Sequence, residues 1–129
     1  MAPARRHDPP PPELRRAIAE FNSGAYWECH ETLEDVWRES PYPLRFFYHA
    51  VIKAAVGFHH LGRRNRHGAR TKLADGARLL ALFQPDFMGV RNDRLLEDVN
   101  GWLARVGGPG RPDWAALDSL TRPSVHMTG

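Results

Sequence analysis

Two titratable side chains, four residues apart, are the clearest candidates for chemistry in this sequence. His30 and Glu34 stand at positions i and i+4, which lie one turn apart on the same side of a helix. Helical-wheel arithmetic places both beside an apolar stripe formed by Tyr26, Leu33 and Trp37. Because a buried charge is costly without a partner, we expect another polar group to form a hydrogen bond or an ion pair with these two side chains. The spacing therefore indicates a site but does not disclose a reaction.

This pair can serve as a buried hydrogen-bonded network, as a catalytic or ligand-contacting pair, or as metal ligands. Glu31 adds a carboxylate about 100° away around the helix. The His-Glu-x-x-His zinc signature is incomplete, because position 34 is glutamate where that motif has its second histidine. The spacing favours the buried network over the other two roles. We expect no bound metal and no cofactor.

A short proline-containing connection at residues 41–43 predicts that the helices on either side of it are antiparallel neighbours. Folding the chain back at this point pairs positions whose numbers sum to about 83, so that Lys53 stands level with His30. Lys53 is then the expected cation for Glu34. The sequence thus predicts one hydrogen-bonded cluster of His30, Glu34 and Lys53, with Trp37 packed beside it.

His60 follows Lys53 by roughly 10 Å along the same helix, at about 1.5 Å per residue. A single metal ion held by His30, Glu34 and His60 would strain this register. The nearby lysine ammonium would also repel a bound dication. Both arguments support the expectation that the site holds no metal.

Apolar residues recur with a helical period along most of the chain, and no segment alternates with the period of two that is typical of a strand. The pattern predicts a single all-α bundle of about five helices, and the wide apolar face of the third marks it as central. Gly68 and Gly76 weaken the fourth helix but allow close helix approach. The predicted helices begin near Pro12 and span residues 25–39, 44–62, 66–83 and 93–106.

Composition and charge are those of an ordinary globular protein. The chain has 129 residues, 42% of them hydrophobic and 26% charged, and the helical domain is predicted at residues 13–107. A disordered proline-rich tail is expected at residues 1–12 and a Gly/Pro-rich tail at residues 108–129, with one loose turn on Trp114 and Leu117. The lone Cys29 excludes an internal disulfide, and no signal-peptide core is present at the start. These features favour a cytoplasmic protein.

The net charge is +3, and arginine supplies nearly all of the positive charge. Residues 63–78 carry six basic side chains against one acid, whereas residues 28–39 are acidic, which is typical of solvated faces or of helices that attract each other. Nucleic-acid binding is not expected, because the aromatic residues follow core stripes and do not interleave with the basic run. No apolar run approaches the roughly 18 residues of a membrane span. The sequence leaves open whether the chain forms oligomers.

Three stretches resemble the motifs of the small helical family called domain of unknown function 309. The first is Phe21-Asn22-x-Gly24-x-Tyr26-Trp27-Glu28-x-His30-Glu31-x-x-Glu34-x-x-Trp37. The second is Val51-Ile52-Lys53-Ala54-Ala55, then His60, then Asn65-Arg66-x-Gly68-Ala69-Arg70. A third and weaker one is Phe87-Met88-Gly89-Val90. The resemblance covers residues 13–106 and implies a compact all-α bundle.

Carried over to this sequence, the resemblance implies a polar signature at His30, Glu34, Trp37, His60 and Asn65. Lys53 departs from it, because glutamine is expected there, and this changes the charge of the pocket. Arg64 also departs, because glycine is expected before Asn65. As its name says, the family has no settled biochemical role, so the resemblance informs the fold more than the function.

Three functions remain open, and the sequence does not decide whether the chain is an enzyme. The polar stripe favours a small-ligand pocket between helices two and three. A hydrolase with Glu34 or His30 as general base, with or without metal, is disfavoured because no nucleophile, phosphate loop or complete metal set is present. The third possible function is that of a structural or partner-docking domain that uses its acidic and basic faces as contact surfaces. The expected ligand-binding residues are His30, Glu31, Glu34, Trp37, Lys53, His60 and Asn65.

Overall fold

The computed structural model describes residues 3–128 and is built from helices. They are α1 (Pro12–Asn22), α2 (Tyr26–Trp37), α3 (Leu44–Gly62), α4 (Arg66–Leu80), α5 (Asn92–Val106) and the short α6 (Trp114–Asp118), with a 3₁₀ turn at Ala81–Phe83. Isolated bridges join Phe87 to Val90 and Val90 to Met127, and no strand forms between residues 3 and 128. The predicted all-α class is confirmed. None of the helices in this part of the chain has both the length and the apolar character needed to cross a membrane.

Local sequence signals set the helix ends that position the site. Gly24 adopts a φ of 83° between α1 and α2, a left-handed conformation that glycine takes without a steric penalty. α2 ends at Trp37, two residues before the predicted end, and α3 begins at Leu44 directly after Pro43. The Asn65 side chain accepts a hydrogen bond from the backbone N–H of Gly68 at 3.0 Å and so caps α4. These turns fix α2, α3 and α4 as consecutive antiparallel neighbours.

α3 is the central helix, as its wide apolar face predicted. It packs against α2 and against α4, and it contributes the largest share of the buried core: Phe47, Tyr48, Ala50, Val51, Ile52, Ala54, Ala55, Gly57, Phe58 and Leu61. The Phe58 ring meets Phe21 at 5.9 Å and Trp102 at 6.2 Å between centroids, both edge-on. Aromatic packing on α3 therefore ties α1 and α5 to the same core.

Small residues let α3 and α4 approach closely. A Cβ atom on Gly76 would lie 3.1 Å from the backbone nitrogen of Ala54, and one on Gly57 would lie 2.6 Å from Cδ2 of Leu73. A Cβ on Gly68 would lie 2.7 Å from Cγ of the His60 ring. The close approach predicted for Gly68 and Gly76 is confirmed, and it brings α4 side chains to the wall of the site.

Both chain ends, where described, contact the bundle. Arg6 Nε lies 2.7 Å from Oδ1 of Asp86. The Asn22 side chain donates to the carbonyl of Val125 at 3.1 Å and accepts from its N–H at 2.7 Å, and Val125 is buried. Residues 1, 2 and 129 of the predicted tails lie outside the described residues. The domain boundary at residues 13–107 stays a prediction, and these contacts show what trimming the ends would remove.

Candidate functional site

A cleft between α2, α3 and α4 brings together most of the predicted site residues. Its volume is about 300 Å³. The side chains that line it combine imidazoles, two ammonium groups, one carboxylate, indole rings and aliphatic groups: Trp27, His30, Glu34, Trp37, His49, Ile52, Lys53, Val56, His60 and Lys72. Mixed polar and apolar walls of this kind are typical of small-ligand sites.

The His30 and Glu34 pair forms as its spacing predicts. His30 Nε2 lies 3.4 Å from Oε2 of Glu34, a contact that becomes an ion pair only when the imidazole is protonated. The two side chains keep 20% and 35% of their surface exposed. Arg38, one turn further along α2, brings its Nη2 to 3.8 Å from Oε1 of Glu34. The pair therefore forms the wall of a cleft and is not sealed inside the core.

The predicted contact between Glu34 and Lys53 is wrong. Between residues 3 and 128, Lys53 forms no ion pair within 4.0 Å, and the carboxylate of Glu34 meets His30 and Arg38 instead. The hairpin register explains the error, since it sets Lys53 level with His30 and therefore one turn from Glu34. Lys53 shares the cleft with Lys72, which extends from α4.

Burial and nearby positive charge lower the pKa values of three basic groups in the cleft. Burial is the main cause for Lys53, followed by the charge of Lys72. Burial also lowers the pKa of His49, followed by the charge of Lys53. The pKa of His60 falls through burial, through neighbouring His59 and through Lys72. Both imidazoles are therefore neutral at neutral pH, and the two lysines supply the positive charge.

Nearby carboxylates raise the pKa values of Lys53 and His49, but their effect is smaller than that of burial and of the lysine charges. The charges of Glu34 and Asp75 raise the pKa values of both Lys53 and His49, but burial and the neighbouring ammonium outweigh them. Asp75 also pairs with Arg78 on its own helix. Burial and the lysine charges together therefore outweigh the carboxylates in this part of the cleft.

Indole rings hold the histidines in place. The Trp27 ring lies 4.5 Å from that of His30, between centroids, and the Trp37 ring lies 5.0 Å from that of His49. The guanidinium of Arg45 stacks over Trp37 at 5.0 Å. The site is therefore framed by aromatic contacts that restrict rotation of the imidazoles.

Two buried nitrogen atoms of the cleft side chains lack a hydrogen-bond partner within the described residues. They are Nδ1 of His30 and Nε1 of Trp37. Buried polar groups in folded proteins are paired as a rule, so each unpaired atom calls for an explanation. The fold alone does not complete the hydrogen bonding of this cleft.

Two of the residues predicted for the pocket lie outside it. Glu31 lines a separate groove of about 600 Å³ beside α1, together with other carboxylates. Asn65 is the N-cap of α4, and its Nδ2 lies 3.4 Å from Nδ1 of His60. Asn65 therefore supports the position of His60 and does not line the cleft. His30, Glu34, Trp37, Lys53 and His60 lie together as expected.

Lys72 is the main cleft residue that the sequence did not identify. The sequence does contain a signal for Lys72, because the connection at residues 63–65 is shorter than the one before α3. Folding α4 back on α3 pairs positions that sum to about 128. This register sets Lys72 level with Val56, one turn from Lys53. Trp27, Ile52 and Val56 complete the walls.

No metal-binding constellation is present in the part of the chain that the structure describes. Residues 3–128 contain no group of three or more His, Cys, Asp or Glu side chains placed to hold an ion. Among these residues, no third His, Cys, Asp or Glu side chain is placed to bind the same ion as His30 and Glu34. The absence of a bound metal in the purified protein stays a prediction.

Acidification is expected to destabilise the protein through His49 and His60. Because their folded pKa values lie below the ordinary 6.5, the unfolded chain binds more protons between the lowered values and 6.5. Stability is then fully present above pH 6.5 and falls as the pH drops through that window. Urea melts across this range measure the slope. The double variant His49→Gln, His60→Gln should show a smaller slope, and an unchanged slope would contradict the assignment.

The fold and the cleft define an all-helical domain with a mixed polar and apolar site between three consecutive helices. Residues 14–71 match the family model described as Domain of unknown function (DUF309), the family that the sequence resembles. The third stretch, Phe87-Met88-Gly89-Val90, lies beyond this match. The matched segment runs from the third residue of α1 through α2 and α3 into α4, and it ends one residue before Lys72.

One curated relative is the Uncharacterized protein YpuF of Bacillus subtilis (strain 168). It is 37% identical over 84 residues, and the match covers 62% of this chain and 48% of the relative. The chain thus spans about half the length of the curated relative it matches. The name of this relative states no activity.

Proposed function

We propose that this protein binds a small ligand in the cleft between α2, α3 and α4. The observation that supports this most is an open cleft of about 300 Å³ in which Nδ1 of His30 and Nε1 of Trp37 lack a hydrogen-bond partner within the described residues. Ligand sites span about 300–1,000 Å³ and place a few polar groups on apolar walls. A volume at the lower end of that range suits a small molecule.

The walls suggest how a ligand is held. Ile52 and Val56 offer aliphatic surface from α3, and Trp37 offers an indole ring from α2. His30 and His60 face the same space, and a neutral imidazole has one donor and one acceptor nitrogen. The cleft can therefore bury an apolar body while forming directional contacts with polar groups on it.

A hydrolase is the second candidate, and one observation favours it. Glu34 lies 3.4 Å from Nε2 of His30 and keeps 35% of its side-chain surface exposed, so its carboxylate can act as a general base towards a water molecule in the cleft. The lining residues of the cleft include no serine, threonine or cysteine. Cys29 is buried in the core, and burial raises the pKa of its thiol to about 12, so it is not a nucleophile at neutral pH.

Tryptophan indole N–H signals in ¹⁵N NMR spectra test the ligand-binding proposal. The probes are benzamide, benzoate, phenyl phosphate and benzylamine, which share a phenyl ring and differ in charge. At least one should shift the signals of Trp27 and Trp37 saturably and leave Trp114, which lies outside the cleft, unchanged. If none of the four shifts Trp37, the proposal is wrong.

A pair of matched variants localises the binding. Val56→Phe fills the cleft and should abolish the shifts. Val36→Phe places the same ring in the groove on the other side of α2 and should leave them intact. Shifts that persist in Val56→Phe would contradict the proposed site. Turnover of p-nitrophenyl acetate that disappears in His30→Gln would favour the hydrolase instead.

A further inference from the structure

We propose that the ligand of this cleft is an anion whose carboxylate or phosphate group sits between Lys53 and Lys72. This inference rests on the proposed function and adds the chemical class of the ligand to it. The remainder of the ligand contacts Ile52, Val56 and Trp37. Three independent observations support the assignment.

The first observation is the placement of lysine in the chain. Of the 18 basic residues, all but two are arginine. The two lysines come from different helices, yet both line the same cleft. An ammonium is a compact charge with three rotatable donors, whereas a guanidinium demands a planar partner. The chain thus uses lysine only where a small anion would be contacted from two sides.

The second observation is that neither lysine has a counter-ion in the described chain. No carboxylate lies within 4.0 Å of Lys53 or Lys72 among residues 3–128. Glu34, the carboxylate that lines the cleft, is already contacted by His30 and Arg38 at 3.4 and 3.8 Å. Two like charges in a partly buried site repel each other unless an anion lies between them.

The third observation concerns the groups that face these lysines from each helix. α2 contributes Glu34, α3 contributes His49, and α4 contributes Asp75, which pairs with Arg78. His49 and His60 have lowered pKa values and are neutral, so these two imidazoles do not compete as cations but can donate a hydrogen bond to an anion. Burial and the charge of Lys72 lower the pKa of Lys53, and a bound anion would raise it again.

The lowered pKa of Lys53 predicts how anion binding depends on pH. Anion affinity should fall as the pH rises through the lowered pKa of Lys53, because the ammonium loses its proton there. Since the chain has only two lysines, ¹³C-labelled lysine gives two side-chain signals whose titration can be followed separately. Phenyl phosphate should move the Lys53 transition to higher pH. Benzamide should leave it unchanged.

Affinities of the four phenyl probes test the inference directly. Benzoate or phenyl phosphate should bind at least about tenfold more tightly than benzamide and benzylamine, as expected for a charge-assisted contact. The ratio between the two anions distinguishes a carboxylate site from a phosphate site. Lys53→Met and Lys72→Met should remove the preference for anions while leaving benzamide binding. Arg70→Met, an exposed change on α4, is the matched control. It should alter neither the preference for anions nor the binding of benzamide.

The outcomes separate this inference from the proposed function. If benzamide or benzylamine shifts Trp37 and binds as tightly as the anions, the cleft is a ligand site but the anion assignment is wrong. The assignment is also overturned if the anions are preferred equally by wild type, Lys53→Met and Lys72→Met. If no probe shifts Trp37, the proposed function itself fails.

Discussion

Phe58→Ala is expected to lower the free energy of unfolding by about 3–5 kcal/mol, as complete truncation of a buried phenylalanine does. Phe58 lies in the middle of α3 and is fully buried. Its ring meets Tyr26, Phe21 and Trp102 at 5.7, 5.9 and 6.2 Å between centroids. The cavity would therefore open where α1, α2, α3 and α5 meet. A loss of this size is a large share of the about 5–15 kcal/mol that stabilises a typical domain.

The same helix supplies the control for this prediction. Phe46 is 43% exposed, and its ring packs on Tyr42 at 5.6 Å, outside the core. Phe46→Ala should cost less than about 1 kcal/mol, because the truncated ring is already largely in water. Urea melts of the two variants give the comparison. Equal losses would contradict the assignment of Phe58 to the centre of the core.

Gly57→Ala is expected to lower the free energy of unfolding by about 1–3 kcal/mol, since it overpacks the contact between α3 and α4. The added Cβ would lie 2.6 Å from Cδ2, 2.7 Å from Cγ and 3.1 Å from the backbone nitrogen of Leu73. Leu73 is fully buried, so its side chain cannot swing into solvent. The two helices would have to separate, and the cleft wall that carries Lys72 would move with α4.

Gly101→Ala on α5 is the matched control. The nearest atom to its added Cβ is Nη1 of Arg105 at 3.6 Å, an ordinary contact with a flexible side chain. Alanine is favoured over glycine inside a helix by up to about 1 kcal/mol, so this variant should be unchanged or more stable. Thermal and urea melts distinguish the two substitutions. A Gly57→Ala protein as stable as Gly101→Ala would show that α3 and α4 do not pack this closely.

The helices were predictable because their signals are local. Pro43 and Asn65 bound the third helix on either side, and its observed limits, Leu44–Gly62, are those predicted. The N-cap role of Asn65 follows from the chemistry of its own side chain and the next turn. The wide apolar face of α3 identified the central helix. Each of these inferences depends on residues within a few positions of one another.

The tertiary contacts of the site were only partly predictable. The i, i+4 spacing placed His30 against Glu34, which the structure confirms at 3.4 Å. The predicted register sets Lys53 one turn from Glu34, and the carboxylate of Glu34 contacts Arg38 on its own helix instead. Lys72 was missed because it joins the cleft only through the second hairpin. Errors of this kind arise where a contact depends on the relative position of two elements.

The contacts of the chain ends were even less predictable from the sequence. Composition alone described residues 108–129 as a Gly/Pro-rich tail. The structure buries Val125 and pairs its backbone with the side chain of Asn22, 103 positions away in the sequence. No local pattern encodes a pairing over that distance. Removal of the residues after Asp118 would leave the polar groups of Asn22 without this partner.

The central claim is that the cleft serves a ligand and not the stability of the fold. The free energy of unfolding of wild type and of Lys53→Met, each measured with and without phenyl phosphate, tests it most directly. Lys53→Met should be at least as stable as wild type without the probe, since one of two repelling ammonium groups is gone. Phenyl phosphate should stabilise the wild type more than Lys53→Met, because a ligand stabilises the state that binds it more tightly. A variant that loses more than about 1 kcal/mol, with no effect of phenyl phosphate on the wild type, would contradict this account.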